Sequence, residues 1–126
     1  MAPKILVVED NVDNRDLLVK VLSRHGYEVV EATSGEEALE LAPRVRPDLV
    51  LMDISLGGMD GLEATRRLKA LPGVAGVPVV AITAYAMVGD RERALEAGCD
   101  GYIAKPVDVR ALPDQVADFL RKGEAR

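Results

Sequence analysis

Short apolar runs recur along this chain, each of four residues or fewer and each separated from the next by a longer segment with helical spacing. The strong runs cover residues 5–8, 49–52 and 79–82, and weaker ones cover 29–30 and 102–104. Buried parallel strands have this continuous apolar character, and their alternation with helices is typical of an α/β domain. The pattern therefore predicts five strands and five helices in one doubly wound, mostly parallel sheet.

Helix boundaries follow from capping residues and prolines. Ser34 and Glu37 have the spacing of a capping box at the start of the second helix. A third helix is predicted over 61–71 and the last over 108–122. Pro113 interrupts the last helix, so either Pro113 takes the first helical position or the opening turn is irregular.

Length and composition limit the classes of protein that the chain can form. With 126 residues, one domain covering 1–126 is expected. The net charge of −5 argues against nucleic acid or an anionic membrane surface as the main partner. The single cysteine, Cys99, excludes an internal disulfide framework, and the sequence has neither a secretory apolar region nor an 18-residue membrane run. A cytoplasmic location is expected.

Acidic side chains follow two of the predicted strands. Glu9 and Asp10 come directly after the first strand, and Asp53 comes directly after the third. Carboxylates crowded at one edge of a sheet raise one another's pKa unless a cation intervenes. Oxygen ligands suit Mg2+, which keeps several waters and takes one or two carboxylates together with phosphate oxygens. The sequence thus predicts a magnesium site and phosphoryl chemistry.

A hydroxyl and an amine lie at the ends of the fourth and fifth predicted strands. Thr83 ends the fourth strand, and Lys105 comes directly after the fifth. Ligands of open α/β sheets bind outside the carboxyl ends of the strands. We therefore expect acid, hydroxyl and amine groups to meet at one rim.

Five segments in order resemble the receiver domain of two-component response regulators, and the resemblance covers essentially the whole chain. They are 5–11 (ILVVEDN), 48–53 (DLVLMD), 59–61 (MDG), 82–84 (ITA) and 105–106 (KP). The resemblance implies a flavodoxin-like fold with strand order 2-1-3-4-5. It also implies that Asp53 is phosphorylated by a histidine kinase or a histidine phosphotransferase.

By the same resemblance, Mg2+ is held by Asp10, Asp53 and the main-chain carbonyl of Ser55, with Glu9 acting through a water. Oriented carboxylates and neutralised phosphoryl oxygens are what such a transfer requires. Lys105 would hold one phosphoryl oxygen as a compact cation.

Further roles implied by the resemblance concern a conformational switch. Thr83 donates to a phosphoryl oxygen and moves inward, and the aromatic Tyr102 fills the space that it leaves. The downstream protein target then binds the surface of the fourth helix, fifth strand and fifth helix. The bond between Lys105 and Pro106 matches a cis position of the family, which would aim Lys105 into the pocket.

The segments 84–87 (AYAM), 89–90 (GD) and 98–99 (GC) resemble single-domain receivers of the DivK type and the receiver modules of hybrid kinases. The expected function is therefore a stand-alone protein-binding switch, with no catalysis beyond its own phosphorylation and dephosphorylation. The chain starts at Met1 and its last helix ends near Gly123, which favours a complete protein. One alternative is an intermediate phosphoryl carrier in a multistep phosphorelay. An alternative of another class is a Mg2+-dependent aspartyl-phosphate hydrolase, although Ser55 stands where that class needs a second acid. A flavin-binding module is disfavoured because Glu9 and Asp10 would repel its phosphate.

Overall fold

A central sheet of five parallel strands, flanked by helices, organises the chain. The computed structural model describes residues 2–54, 60–83 and 88–124. The strand order β2-β1-β3-β4-β5 and the doubly wound α/β fold confirm the prediction. In chain order the elements are β1 (Lys4–Val8), α1 (Val12–Arg24), β2 (Glu28–Ala32), α2 (Gly35–Val45), β3 (Leu49–Asp53), α3 (Gly61–Ala70), β4 (Val79–Thr83), α4 (Val88–Ala97), β5 (Gly101–Ala104) and α5 (Leu112–Glu124).

Alternate residues of each central strand enter two separate cores. Ile5 and Val7 pack in a core that includes residues of α1 and α5, whereas Leu6 and Val8 pack with residues of α2, α3 and α4. This is the expected arrangement, because successive side chains of a strand point to opposite faces of the sheet. All five residues of β3 and of β4 are buried. Within the described ranges, no helix combines the length and the apolar character that crossing a membrane requires.

The start of α5 differs from the prediction of a helix from residue 108. The Asp108 carboxylate accepts hydrogen bonds from the amides of Arg110 and Ala111, and these residues form a separate turn. The helix begins at Leu112, which makes Pro113 its second residue. An N–H in the first helical turn has no helical partner, so proline costs no hydrogen bond there. A regular helix from 108 was wrong, whereas the alternative of an irregular opening turn is confirmed, because 109–111 form a turn in which the Asp108 carbonyl also accepts from the amides of Ala111 and Leu112.

A close approach between α3 and β3 positions the end of β3. A Cβ atom built on Gly61 would lie against the carbonyl oxygen of Asp53 and 2.5 Å from the Cα atom of Ile54. The Gly61 carbonyl in turn accepts a hydrogen bond of 2.8 Å from the Thr65 hydroxyl. Only a residue without a side chain lets the first turn of α3 sit directly on the backbone of Asp53.

Replacing Gly61 with alanine should destabilise the protein by about 1–3 kcal/mol, because backbone atoms at the end of β3 must shift to admit the methyl group. The free energy of unfolding in urea measures this loss. Gly76→Ala is the matched control, since among the described residues a Cβ atom there meets nothing within 4 Å. Equal stabilities of the two variants would contradict the steric account.

Candidate functional site

Carboxylates from the ends of β1 and β3 meet at one edge of the sheet. Glu9, Asp10 and Asp53 each offer an oxygen, and these oxygens all lie within 4.8 Å of one another. Main-chain hydrogen bonds continue past the strand ends and hold this edge: the Glu9 amide donates to Ala32 at 3.0 Å, and the Ile54 amide donates to Ile82 at 3.1 Å. The convergence expected from the sequence is therefore built by the sheet itself.

The three acids differ in exposure, and a lysine lies beside two of them. Glu9 and Asp53 are only 1% and 2% exposed, whereas Asp10 faces solvent. The Lys105 ammonium lies 3.3 Å from Asp53 Oδ2 and 3.5 Å from Glu9 Oε2. This arrangement places one cation over the two buried carboxylates and leaves Asp10 at the open side.

Glu9 has an unusual electrostatic environment. The pKa of Glu9 is raised to about 7, mainly because the side chain is buried and also because the Asp53 carboxylate lies beside it. The hydrogen bond from the Asn11 amide to Oε1 and the charge of Lys105 partly oppose this rise in the pKa. Among the described residues, no donor hydrogen-bonds to the other oxygen, Oε2, although it is buried. A buried acceptor without a hydrogen bond is costly, so this oxygen has capacity for a further ligand.

The donor set fits a hard divalent cation. Three carboxylates, one of them exposed, supply oxygen ligands and leave room for water, as Mg2+ requires. Glu9 Oε2, which is buried and accepts no hydrogen bond from the described residues, can serve as the ligand oxygen of Glu9. The residues present therefore fit Mg2+. Ser55, which the sequence analysis includes through its main-chain carbonyl, lies outside the described residues.

Thr83 and Tyr102 lie on neighbouring strands of the same edge. Ala81 is paired with Tyr102 and Thr83 with Ala104, so the side chains of Thr83 and Tyr102 point to the same face of the sheet as diagonal neighbours. Thr83 is fully buried and Tyr102 is partly exposed, with the Arg91 guanidinium 5.2 Å from the centre of the Tyr102 ring.

Lys105 is joined to the end of β4 through the main chain. Its amide donates a 2.7 Å hydrogen bond to the carbonyl of Thr83. The peptide bond between Lys105 and Pro106 is cis. The residues that carry the amine and the hydroxyl, Lys105 and Thr83, are thus joined by a main-chain hydrogen bond.

Two residues that contact the site backbone were missed in the sequence analysis. Gly61 packs on the Asp53 backbone, and Arg15 donates a 3.0 Å hydrogen bond to the main-chain carbonyl of Glu9. For Arg15 a signal existed: a cation near the start of a helix opposes the helix dipole and calls for a local reason. For Gly61 only its place directly after Asp60, the N-cap of α3, indicated a tight junction.

A groove of about 440 Å3 opens beside the acids. Its rim includes Leu17, which is 44% exposed, and the nearby Val12 on the same helix is 58% exposed. The groove is lined by Glu9, Asn14, Leu17, Leu18, Ile82, Lys105, Pro106 and Val107. The apolar side chains of the groove thus lie directly beside the charged residues Glu9 and Lys105.

The structure thus combines a 2-1-3-4-5 parallel sheet with clustered acids and a lysine at its carboxyl edge, the arrangement of a doubly wound α/β domain with its site at the strand ends. The family model of the response regulator receiver domain matches residues 5–117. The chain therefore belongs to the response regulator receiver family.

Its relatives give a more particular likeness. Over 120 residues the chain is 42% identical to the polar-differentiation response regulator DivK of Brucella anthropi, covering 95% of this chain and 98% of that protein. A receiver domain of a sensor histidine kinase from Pseudomonas aeruginosa, solved with a magnesium ion coordinated in its active-site cleft, has a TM-score of 0.88 and 38% identity, covering 95% of this chain and 98% of that one. A putative response regulator from Chloroflexus aurantiacus has a TM-score of 0.91 and 32% identity, covering 96% and 99%.

Replacing Glu9 with glutamine should stabilise the protein when divalent metal is absent, and more so at pH 8 than at pH 5. In the wild type, as pH rises from the ordinary glutamate pKa to about 7, the unfolded chain releases the Glu9 proton while the folded protein keeps it. The free energy of unfolding therefore falls over this window, by roughly 3 kcal/mol at most, since one pKa unit corresponds to about 1.4 kcal/mol.

Urea denaturation in EDTA at pH 5 and pH 8 measures this effect. Glu40→Gln, at an exposed ion pair on α2, is the control for a lost surface charge. A stability difference between Glu9→Gln and the wild type that is the same at both pH values would contradict the assigned pKa.

Proposed function

We propose that this chain is a stand-alone, cytoplasmic phosphorylation switch in which Asp53 accepts a phosphoryl group from a phosphohistidine in a Mg2+-dependent reaction. The observation that carries the proposal is the buried Asp53 carboxylate, placed 3.3 Å from the Lys105 ammonium and within 4.8 Å of two further acids. Crowded acids alone would only store a metal. The lysine adds a second cation of the kind that binds a phosphoryl oxygen.

The transfer is a displacement at phosphorus. An oxygen of Asp53 forms a bond to the phosphorus while the bond from phosphorus to the histidine nitrogen breaks, and the leaving imidazole takes up a proton. Asp10, Asp53 and Glu9, with the main-chain carbonyl of Ser55, would hold Mg2+, which when bound neutralises charge on the phosphoryl oxygens. Hydrolysis later adds water at phosphorus, releases inorganic phosphate and restores the carboxylate.

Lys105 and Thr83 each bind one oxygen of the phosphoryl group on Asp53. Lys105 neutralises a phosphoryl oxygen from its position over Asp53, and the Thr83 hydroxyl at the end of β4 donates to another. A charge-assisted hydrogen bond to a phosphoryl oxygen is stronger than one between neutral groups. The new charge near Thr83 then biases the neighbouring Tyr102 toward an inward position.

Two surfaces would meet partners. The phosphohistidine of a sensor kinase or phosphotransferase must approach Asp53 from above the sheet edge, where the apolar groove beside Leu17 offers contact area. The downstream protein would read the face of α4, β5 and α5. That face carries Tyr102 and the 53% exposed Leu95, and the Arg91 guanidinium of α4 lies 5.2 Å from the centre of the Tyr102 ring.

Incubation with acetyl phosphate and Mg2+ should add one phosphoryl group to the wild type and none to Asp53→Asn, as measured by intact mass. EDTA should abolish the adduct, because the phosphoryl charge is then not neutralised. Asp114→Asn, an exposed carboxylate in the first turn of α5, is the matched control and should react like the wild type. An adduct that persists in Asp53→Asn would sink the proposal.

Thr83→Ala should accept the phosphoryl group yet lose the coupling to Tyr102. The ring resonances of Tyr102, assigned with Tyr102→Phe, report the environment of this side chain by NMR. Beryllium trifluoride, a stable phosphoryl mimic, should shift them in the wild type and in Thr33→Ala, whose exposed site follows β2 on the opposite side of the sheet from β5. If they shift equally in Thr83→Ala, the two residues are not coupled.

A further inference from the structure

The Arg15 side chain extends from α1 back over the ends of β1 and β2 and contacts the acidic segment, which consists of Glu9 and Asp10. Its Nη1 donates a 3.0 Å hydrogen bond to the main-chain carbonyl of Glu9, and its Nε lies 3.2 Å from Glu31 Oε1 on β2. The Arg15 side chain is 14% exposed, whereas that of Glu31 is 46% exposed. The guanidinium is thus largely buried between the acidic segment and the edge strand.

The location of this cation is otherwise unfavourable. Arg15 is the fourth residue of α1, close to the positive end of the helix dipole. A buried charge is costly unless it is paired and hydrogen-bonded, and within the described part of the chain Glu9 and Glu31 give Arg15 both. The rigid fork of a guanidinium suits two acceptors at fixed positions, which a lysine cannot reproduce.

The contact holds the main chain of Glu9 without occupying the oxygens of its carboxylate. The Glu9 amide donates to the Ala32 carbonyl, and the Glu9 carbonyl accepts from Arg15, so both main-chain polar groups of this residue are hydrogen-bonded. Lys105 acts differently, because its ammonium lies directly on the carboxylates of Glu9 and Asp53. One cation fixes the backbone while the other neutralises the side chains.

We propose that Arg15 is a positioning residue that holds Glu9 and Asp10 against the repulsion of the acidic cluster and so keeps their carboxylates placed for a divalent cation. This inference rests on the proposed function, in which the cluster binds Mg2+. Glu31 contributes to this role, because from the neighbouring strand β2 it orients the guanidinium of Arg15.

Electrostatics and positioning predict opposite signs for the same substitution. Arg15→Gln removes a positive charge near a cation site, and through-space repulsion alone would then make Mg2+ bind more tightly. Loss of positioning makes Mg2+ bind more weakly instead. Arg15→Lys keeps the charge and loses the fork, so only the positioning role predicts a change.

Calorimetric titration of the full chain with Mg2+ distinguishes the two. We expect both Arg15 variants to bind Mg2+ roughly tenfold more weakly, as is typical when groups that orient metal ligands are removed, and Glu31→Gln to be weakened in the same direction. Arg44→Gln, which breaks an exposed 3.6 Å ion pair on α2, should bind like the wild type. High salt should leave the difference in place, because it screens charge effects and not geometry.

Hydrogen exchange in EDTA gives a second readout that needs no metal. The amides of Glu9 and Asn11 should exchange faster in Arg15→Gln, while those of residues 5–8 keep the wild-type rate. Tighter or unchanged Mg2+ binding in both Arg15 variants, or unaltered exchange at Glu9 and Asn11, would overturn the inference. Failure of the wild type itself to bind Mg2+ would instead overturn the proposed function, and exchange alone would then decide whether Arg15 positions the segment.

Discussion

Mutual repulsion of like charges is the constraint around which this site is built. Glu9, Asp10 and Asp53 bring three carboxylates within 4.8 Å, and two of them are buried. Buried charges of one sign are tolerated only when the main chain that carries them is fixed and an opposite charge lies close by. The parallel sheet fixes the main chain through hydrogen bonds that continue past its strand ends. Lys105 supplies part of the opposite charge.

Much of this arrangement could be predicted, because buried parallel strands have an abrupt end in sequence. The apolar run 49–52 ends directly before Asp53, so the end of the run predicts that Asp53 lies at the carboxyl edge of the sheet. The same argument placed Glu9, Thr83 and Lys105. The order of the strands could not be predicted in this way, because the spacing of the apolar runs does not show which strands are neighbours. It came from the family resemblance.

Contacts that depend on how one element crosses another could not be predicted. Arg15 touches Glu9 only because α1 passes back over the ends of β1 and β2, and Gly61 matters only because α3 sits on the backbone of Asp53. The start of α5 was predicted in part. The irregular opening turn that Pro113 indicated is present: both the carboxylate and the main-chain carbonyl of Asp108 accept bonds in it, and the helix begins at Leu112.

The position of Asp53 at the end of a central strand fixes its main chain. β3 is hydrogen-bonded to β1 on one side and to β4 on the other, the pairing with β4 includes Asp53 itself, and the Ile54 amide donates to the Ile82 carbonyl beyond it. In the proposed switch, the phosphoryl group is therefore added to a side chain whose backbone is held by the sheet. The response that follows is a change of charge and hydration around a fixed backbone and not a displacement of β3.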